Sequence, residues 1–434
     1  MPAPIPPFRI TDTWKLFTTH DQLLLLVSVF LQLVLALLFG HFYDMRIFMA
    51  TGYLVSSGQN PYIAQDLVSV FNNNSFHGMT TVGYPPLWPL VLGLLYLSVY
   101  TYLPNFLIYN LAIKIPVIVA NICLAYLVAD ILKGLGADVA VYRRAWIFLL
   151  FNPFVLYFAS AWGQFDSIVT LLSLLSLVFL PMGKFRNSAI LLALAISLKP
   201  ISFPILLVVF VYLIGKSPRQ AINYFAMFLV SVLLFCALPF IIFGWDPSPI
   251  LRGWNAHFTV GGGMSFMAFF ELLKDSYQLP GQWWLLSLAW IPALGFGILA
   301  LKHGIDGFVD LLKGSTGLVL IFYLTRAWLS EPNIFLILTF VLILTSIGEL
   351  DNFTLTAIWI LPLAFTFFNA SLPQLFFPSL PGIMDRMLKL AEDFRSARII
   401  ARTALVIPWQ IVGWRVVVSC FRRNPATVGG IRCG

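Results

Sequence analysis

The sequence predicts an all-α protein that crosses a membrane many times, and three observations carry that reading. Of 434 residues, 60% are hydrophobic and only 10% charged, where a soluble domain carries about 25% charged residues. The apolar residues come in blocks: 22–40, 145–163, 221–243 and 333–348 hold no charge at all. Runs of about 20 residues match a hydrocarbon core of roughly 30 Å at about 1.5 Å per helical residue. Backbone groups in lipid must bond within their own segment, which makes helices the default. A β-barrel would need alternation of polar and apolar residues, and none is present.

In chain order, spans are expected near 22–40, 111–132, 145–161, 167–183, 188–199, 201–214, 221–243, 283–301, 315–329, 333–348 and 353–370. Segment 403–421 is a candidate for one more, which makes about 11–12 in all. Residues 84–103 are apolar but broken by Pro85, Pro86, Pro89 and Pro104. They read as a short or re-entrant helix pair at the membrane face, with a full span as the alternative. Residues 1–21 lack a signal-peptide cleavage pattern, so the first block reads as an uncleaved helix. Residues 1–384 form the multi-span domain. In the tail, 385–434, Asp385 to Arg402 has the spacing of an amphipathic surface helix. No internal repeat is evident.

The net charge of +8 does not point to nucleic acid. Lys133, Arg143, Arg144, Lys184, Arg186, Lys216, Arg219, Lys302 and Lys313 lie in short loops. These loops share one side with Arg9 and Lys15 if 84–103 does not cross. The positive-inside rule makes that side cytoplasmic and gives the cations to topology and lipid head groups. The opposite face receives 41–83, 161–167, 244–282 and 327–332. The four cysteines form no CxxC pair, so neither a zinc site nor a disulfide framework is indicated. The reading favours a prokaryotic plasma membrane over the endoplasmic reticulum.

Candidate chemistry gathers on the outer face. Asp44 directly follows the first span, where an acid suits a general base, a ligand to a divalent metal, or a solvated loop residue. Tyr62, in the turn Gly58-Gln59-Asn60-Pro61-Tyr62, suits an interfacial anchor, and Asp66 a loop acid. Gln164 and Asp166 lie in the tight turn after Trp162-Gly163, where Asp166 equally suits an N-cap. Asn152-Pro153 is a kink signal. Lys199, Arg252 and Arg326 are outer cations that run against the positive-inside bias, so each suits an anionic ligand or a head group. Glu331 and Asn333 share a turn with Arg326, and Glu331 is a candidate neutraliser of that arginine. Gly261-Gly262-Gly263 reads as a flexible loop. No Walker loop, dinucleotide fingerprint or HExxH occurs, so a soluble nucleotide has no evident site.

Asp44, Phe48, Gly58, Pro61-Tyr62 and Tyr84-Pro85-Pro86-Leu87 together resemble the first outer loop of C-type (GT-C) membrane glycosyltransferases. The likeness is to the mannosyltransferase family that adds the first mannose of the GPI anchor. Lys114, Lys133-Gly134-Leu135-Gly136, Asn152-Pro153, Gly163 to Ser167, Lys199 and Ser330-Glu331 follow in the same order. The likeness covers residues 40–210 and, weakly, 320–345. Two positions depart from it: Asp-x-Asp becomes Phe42-Tyr43-Asp44, and Trp162 stands where a basic residue is usual. The resemblance implies an inverting transfer of a hexose, mannose first, from a polyprenyl- or dolichyl-phosphate donor. The acceptor is a lipid-linked sugar or glycan on the outer or lumenal face. Asp44 is then the base, with Tyr62, Gln164, Asp166, Lys199, Arg252, Arg326 and Glu331 around the substrates. Lys199 ranks first and Arg252 second for the leaving phosphate, with a divalent metal as the other means of neutralising it. Two rivals stand beside this reading: a secondary transporter or lipid flippase, and an inactive scaffold of the same shape.

Overall fold

The computed structural model describes residues 18–63, 66–72, 76–80, 82–252, 261–269 and 286–422. Arg9, Lys15, residues 283–285 of the expected eighth span and residues 423–434 of the tail lie outside the described residues. Among the described residues the structure is all-α apart from one two-residue strand pair. Among the described residues six helices are long and apolar enough to cross a membrane. They are α1 (Thr19–Leu38), α4 (Phe106–Gly134), α5 (Val139–Trp162), α9 (Pro218–Phe243), α11 (Phe308–Thr325) and α15 (Arg395–Phe421).

Between these lie α2 (Phe42–Ser56), α3 (Leu87–Tyr100), α6 (Asp166–Phe179), α7 (Phe185–Leu198), α8 (Phe203–Lys216), α10 (Trp290–Ala300), α12 (Ile334–Ser346), α13 (Asn352–Phe368) and α14 (Pro381–Asp393). The 14 residues of α6 or α7 reach only about 21 Å at 1.5 Å each, so several expected spans are short helices. They are packed among other helices: α12 is buried at every residue from Ile334 to Leu344. A helix apolar on all sides belongs in an interior of this kind.

Local chemistry sets the helix ends. Thr18 caps α1 through the Asp21 N–H at 3.3 Å, while the Asp21 carboxylate takes the Thr18 N–H at 2.9 Å. Asn152 breaks α5 with an extended backbone and caps its second part by accepting from the Phe154 N–H at 2.9 Å. One cluster of neutral polar residues inside the bundle is held by mutual hydrogen bonds. Gln32 Oε1 accepts from Asn121 Nδ2 at 3.0 Å and from Ser160 Oγ at 3.2 Å, and its Nε2 donates to Ser28 Oγ at 3.0 Å. These bonds tie α1, α4 and α5 together where no water could serve them.

Polar contacts gather in two layers at opposite helix ends. One holds Asp21 with Arg143 at 2.6 Å, Lys313 with Glu349 at 2.7 Å, and Asp351 with Arg415. The other holds Asp44, Asp166, Lys199 and Glu331. The segment 84–103 begins and ends in the second layer. Trp88 stacks on Phe165 at 4.2 Å, and Tyr100 meets Tyr109, near the start of α4, at 5.6 Å. It therefore does not cross the bundle, but it is one helix, α3, and not the expected pair, because Pro85, Pro86 and Pro89 fall at its start and Pro104 beyond its end.

Two expectations need correction. The amphipathic segment is not continuous from Asp385 to Arg402. α14 ends at Asp393, and Arg395 already opens α15, which runs on without a break to Phe421. The glycine run is not a free loop: Gly262–Gly263 pairs in parallel with Trp328–Leu329. The Trp328 ring lies where a Gly262 side chain would project, so the pairing needs glycine there.

The layers make a sidedness prediction. In a cysteine-free background, Gln59→Cys should react with a membrane-impermeant maleimide in intact cells. Ala140→Cys should react only after permeabilisation. Both positions are exposed, so labelling reports side rather than burial, and the reverse pattern would invert the orientation.

Candidate functional site

The site lies where α1 stops. A helix leaves its last carbonyls without intrahelical donors, and here α4 supplies them. Asn110 Nδ2 donates to Ala36 O at 2.7 Å and Phe39 O at 2.9 Å. Lys114 Nζ donates to Ala36 O at 3.2 Å, Phe39 O at 2.5 Å and Ala161 O at 2.8 Å. Lys114 is fully buried, and its three N–H groups tie the end of α1 to the end of α5. The chain then turns through His41 into α2, which carries Asp44 in its first turn. A carboxylate is favoured there by the positive end of the helix dipole.

The last turns of α5, Leu156–Trp162, are wound as a π-helix that ends at Gly163 with φ +95°. Such turns are uncommon and re-aim side chains. Trp162 Nε1 donates to Asp44 Oδ2 at 2.5 Å and Gln164 Nε2 donates to the same oxygen at 2.7 Å. The His41 ring stacks on Trp162 at 4.0 Å, with Nδ1 3.7 Å from Asp44 Oδ2. Burial pushes the His41 imidazole below its ordinary pKa, against the pull of the Asp44 charge.

Gln164 faces two ways. Its Oε1 accepts from Lys199 Nζ at 3.4 Å, and Lys199 also donates to Asp166 Oδ2 at 2.7 Å. An ammonium can only donate, so it fixes which end of the amide points at Asp44. Asp44 keeps 20% of its side chain exposed and Asp166 only 1%. The partly open carboxylate is therefore backed by a closed ion pair. Tyr84 and Phe165 lie 5.6 and 5.4 Å from the Lys199 ammonium, each presenting a ring to it.

A second buried acid adjoins this group. Glu331, in the turn ahead of α12, accepts from Asn369 Nδ2 at 3.1 Å, and Arg402 donates to Asn369 Oδ1 at 2.9 Å. Burial pushes the Glu331 carboxyl up to about 7, and the Asp44 charge acts in the same direction. The Asn369 bond and the Arg402 charge pull the other way.

The other candidates fall differently. Tyr62 is fully buried, donates to Tyr84 O at 2.8 Å and stacks on Phe240 at 5.3 Å, so it supports Tyr84 from behind. Asp66 caps a short helix, Leu67–Phe71. Arg252 is exposed beside Asp246, and the structure does not bring it to Asp44. Arg326 is not held by Glu331: its guanidinium lies 4.8 Å from the Phe322 ring centroid and has no ion pair among the described residues. Asp166 is not an N-cap, because Phe165 occupies that position and the carboxylate turns to Lys199. Lys199 is consequently not a free cation, which removes the ground for ranking it first for a phosphate.

His41, Asn369 and Arg402 were missed as site residues in the sequence; Tyr84 stood out there only within the motif Tyr84-Pro85-Pro86-Leu87, and Trp162 only as a departure. Among the described residues no three His, Cys, Asp or Glu side chains form a metal-holding group. Asp44 and His41 alone are too few donors to hold a metal ion.

Gly163 offers a test of how tightly the site is built. A Cβ there would approach Lys114 Cε and Met45 Cε to 2.8 Å at a positive φ. Left-handed backbone costs about 1–2 kcal/mol and overpacking about 1–3 kcal/mol. Gly163→Ala should therefore lower stability by about 2–4 kcal/mol, seen as a lower melting temperature in detergent. An unchanged melt would mean that this turn is loosely held. Comparison with known protein families and with curated proteins found no match to this chain.

Proposed function

We propose that the protein is a membrane glycosyltransferase that moves a hexose from a polyprenyl- or dolichyl-phosphate donor to a lipid-linked or glycan acceptor. The observation that carries this reading is the Asp44 carboxylate. One oxygen is pinned by Trp162 and Gln164, and the side chain is partly open at a helix end. An acid held in this way suits a general base, because it has an oriented oxygen left for an incoming hydroxyl.

In the proposed step Asp44 takes the proton of the acceptor hydroxyl as that oxygen bonds to the anomeric carbon. The bond from that carbon to the phosphate oxygen breaks, and the lipid phosphate leaves with the electron pair, so configuration inverts. Lys199 acts at one remove, by orienting Gln164. Of the three outer cations Arg326 is best suited to the departing phosphate, since no carboxylate among the described residues neutralises it. A donor that arrives within the bilayer requires no nucleotide fold.

The Gln32, Asn121 and Ser160 cluster is neutral, and the buried ions Lys114, Asp166 and Lys199 bond at helix ends, which disfavours an ion-coupled transporter with ionisable groups near the bilayer centre. The direct test is transfer of radiolabel from a polyprenyl-phosphate hexose to extracted lipids or glycans by the purified protein. Transfer dependent on this protein supports the reading. No transfer with any hexose donor, from folded protein in lipid, would end it.

A further inference from the structure

Arg395, Arg398 and Arg402 lie at i, i+3 and i+7 on α15, so they share a face and repel one another. Arg398 is held by backbone: Nε donates to Ala391 O at 2.5 Å and Nη1 to Phe368 O at 3.1 Å. Arg395 pairs with Glu392 at 3.2 Å, but their side chains are 67% and 64% exposed, so water screens the pair. Arg402 bonds the Asn369 amide and forms no ion pair among the described residues.

Arg395 and Arg402 both line a cavity of about 220 Å³ between α13, α15 and the strand Gly262–Gly263, together with Gly261, Gly263, Phe365 and Thr403. On the strand side, Gly262 N donates to Ala327 O at 3.1 Å and Met264 N to Leu329 O at 2.9 Å. The Gly263 amide between them takes no part in this ladder. Two arginines, a threonine and the glycine strand thus border one small space. It is smaller than the roughly 300–1,000 Å³ of drug-sized sites, and its donors match the oxygens of a compact anion.

We propose that this cavity is a binding site for a phosphate ester, gripped by Arg395 and Arg402 with the Gly263 amide completing the cradle. The surroundings favour an ester carried on a lipid. Ile383, Leu390, Phe394 and Ile400 are bare apolar residues on α14, on α15 and at their junction, as on helices that lie in a bilayer interface. A lipid-carried phosphate is also the donor class of the proposed transferase, so the choice of a lipid ester rests on that reading, while the test reads binding and not transfer.

The test is isothermal titration of the full-length protein, purified in a maltoside detergent, with dodecyl phosphate and separately with inorganic phosphate. Dodecyl phosphate should bind saturably. Arg395→Gln and Arg402→Gln should each weaken it by about tenfold or more, as for a lost charge-assisted bond. Lys389→Gln, an exposed cation on α14, should leave binding unchanged and so exclude general attraction to a basic surface. Arg395 is exposed, so its variant still tests the site even if Arg402→Gln fails to fold. Equal affinity for inorganic phosphate would support the site while assigning it to a soluble ester. Tighter dodecyl phosphate assigns it to a lipid. No saturable binding of either probe, or binding indifferent to both arginine variants, would overturn the proposal. Neither result depends on sugar transfer, so failure here leaves the proposed activity standing and can be told apart from its failure.

Discussion

Asp44→Asn should reduce sugar transfer by about 10²-fold or more, the usual contribution of a general base. The substitution keeps the size of the side chain and removes its basic oxygen. Trp162 and Gln164 donate to Oδ2 at 2.5 and 2.7 Å, and an amide oxygen can still accept both. Folding should therefore be preserved, and an unchanged melting temperature is part of the expected result. Gln164→Leu removes one of the two donors and should cost less, because Trp162 still holds the carboxylate. Near-normal transfer by Asp44→Asn, at normal protein level, would take the base assignment away from Asp44 and leave Glu331 as the next acid to test.

The largest effect on stability is expected at the buried ion pair. Asp166 and Lys199 meet at 2.7 Å, with side chains 1% and 8% exposed. Removing one partner leaves an uncompensated charge in a low-dielectric place, which costs about 3–5 kcal/mol. Asp166→Ala should show this as a large drop in melting temperature. Replacing both, as Asp166→Leu with Lys199→Met, should recover most of the loss, since a well-packed apolar pair is often as stable as a buried ionic one. Transfer should nevertheless stay low in the double variant, because nothing then orients Gln164. A single Asp166→Ala variant as stable as the parent would show that water reaches the pair.

How much of this could be seen in the chain depends on range. The apolar blocks are local, so the helices and the membrane class were visible. Lys and Arg placement is also local, and the ends it groups on one side do meet. Asp44 and Asp166 stood out by position alone. What they bond was not visible: Gln164 lies 120 residues from Asp44, and Lys199 lies 33 from Asp166. Lys199 looked like a free cation because its partner belongs to a different helix. Phe394 ends α14 without a Pro or Gly to announce it, so two helices read as one amphipathic stretch. The glycine run read as a loop because its partner strand, Trp328–Leu329, is remote in the chain.

Lys114 has a further consequence for how such a site would work. Its ammonium makes three bonds to carbonyls that belong to α1, α5 and the link into α2. Those three pieces of backbone carry Gln32, Trp162 and His41, and through the last two they set the place of Asp44. The floor of the site is thus preorganised: its donors are already aimed before any ligand arrives, and no reorganisation of solvent or backbone is required at that level. The cost of ordering it falls within folding, where the whole bundle shares it, and not within substrate binding.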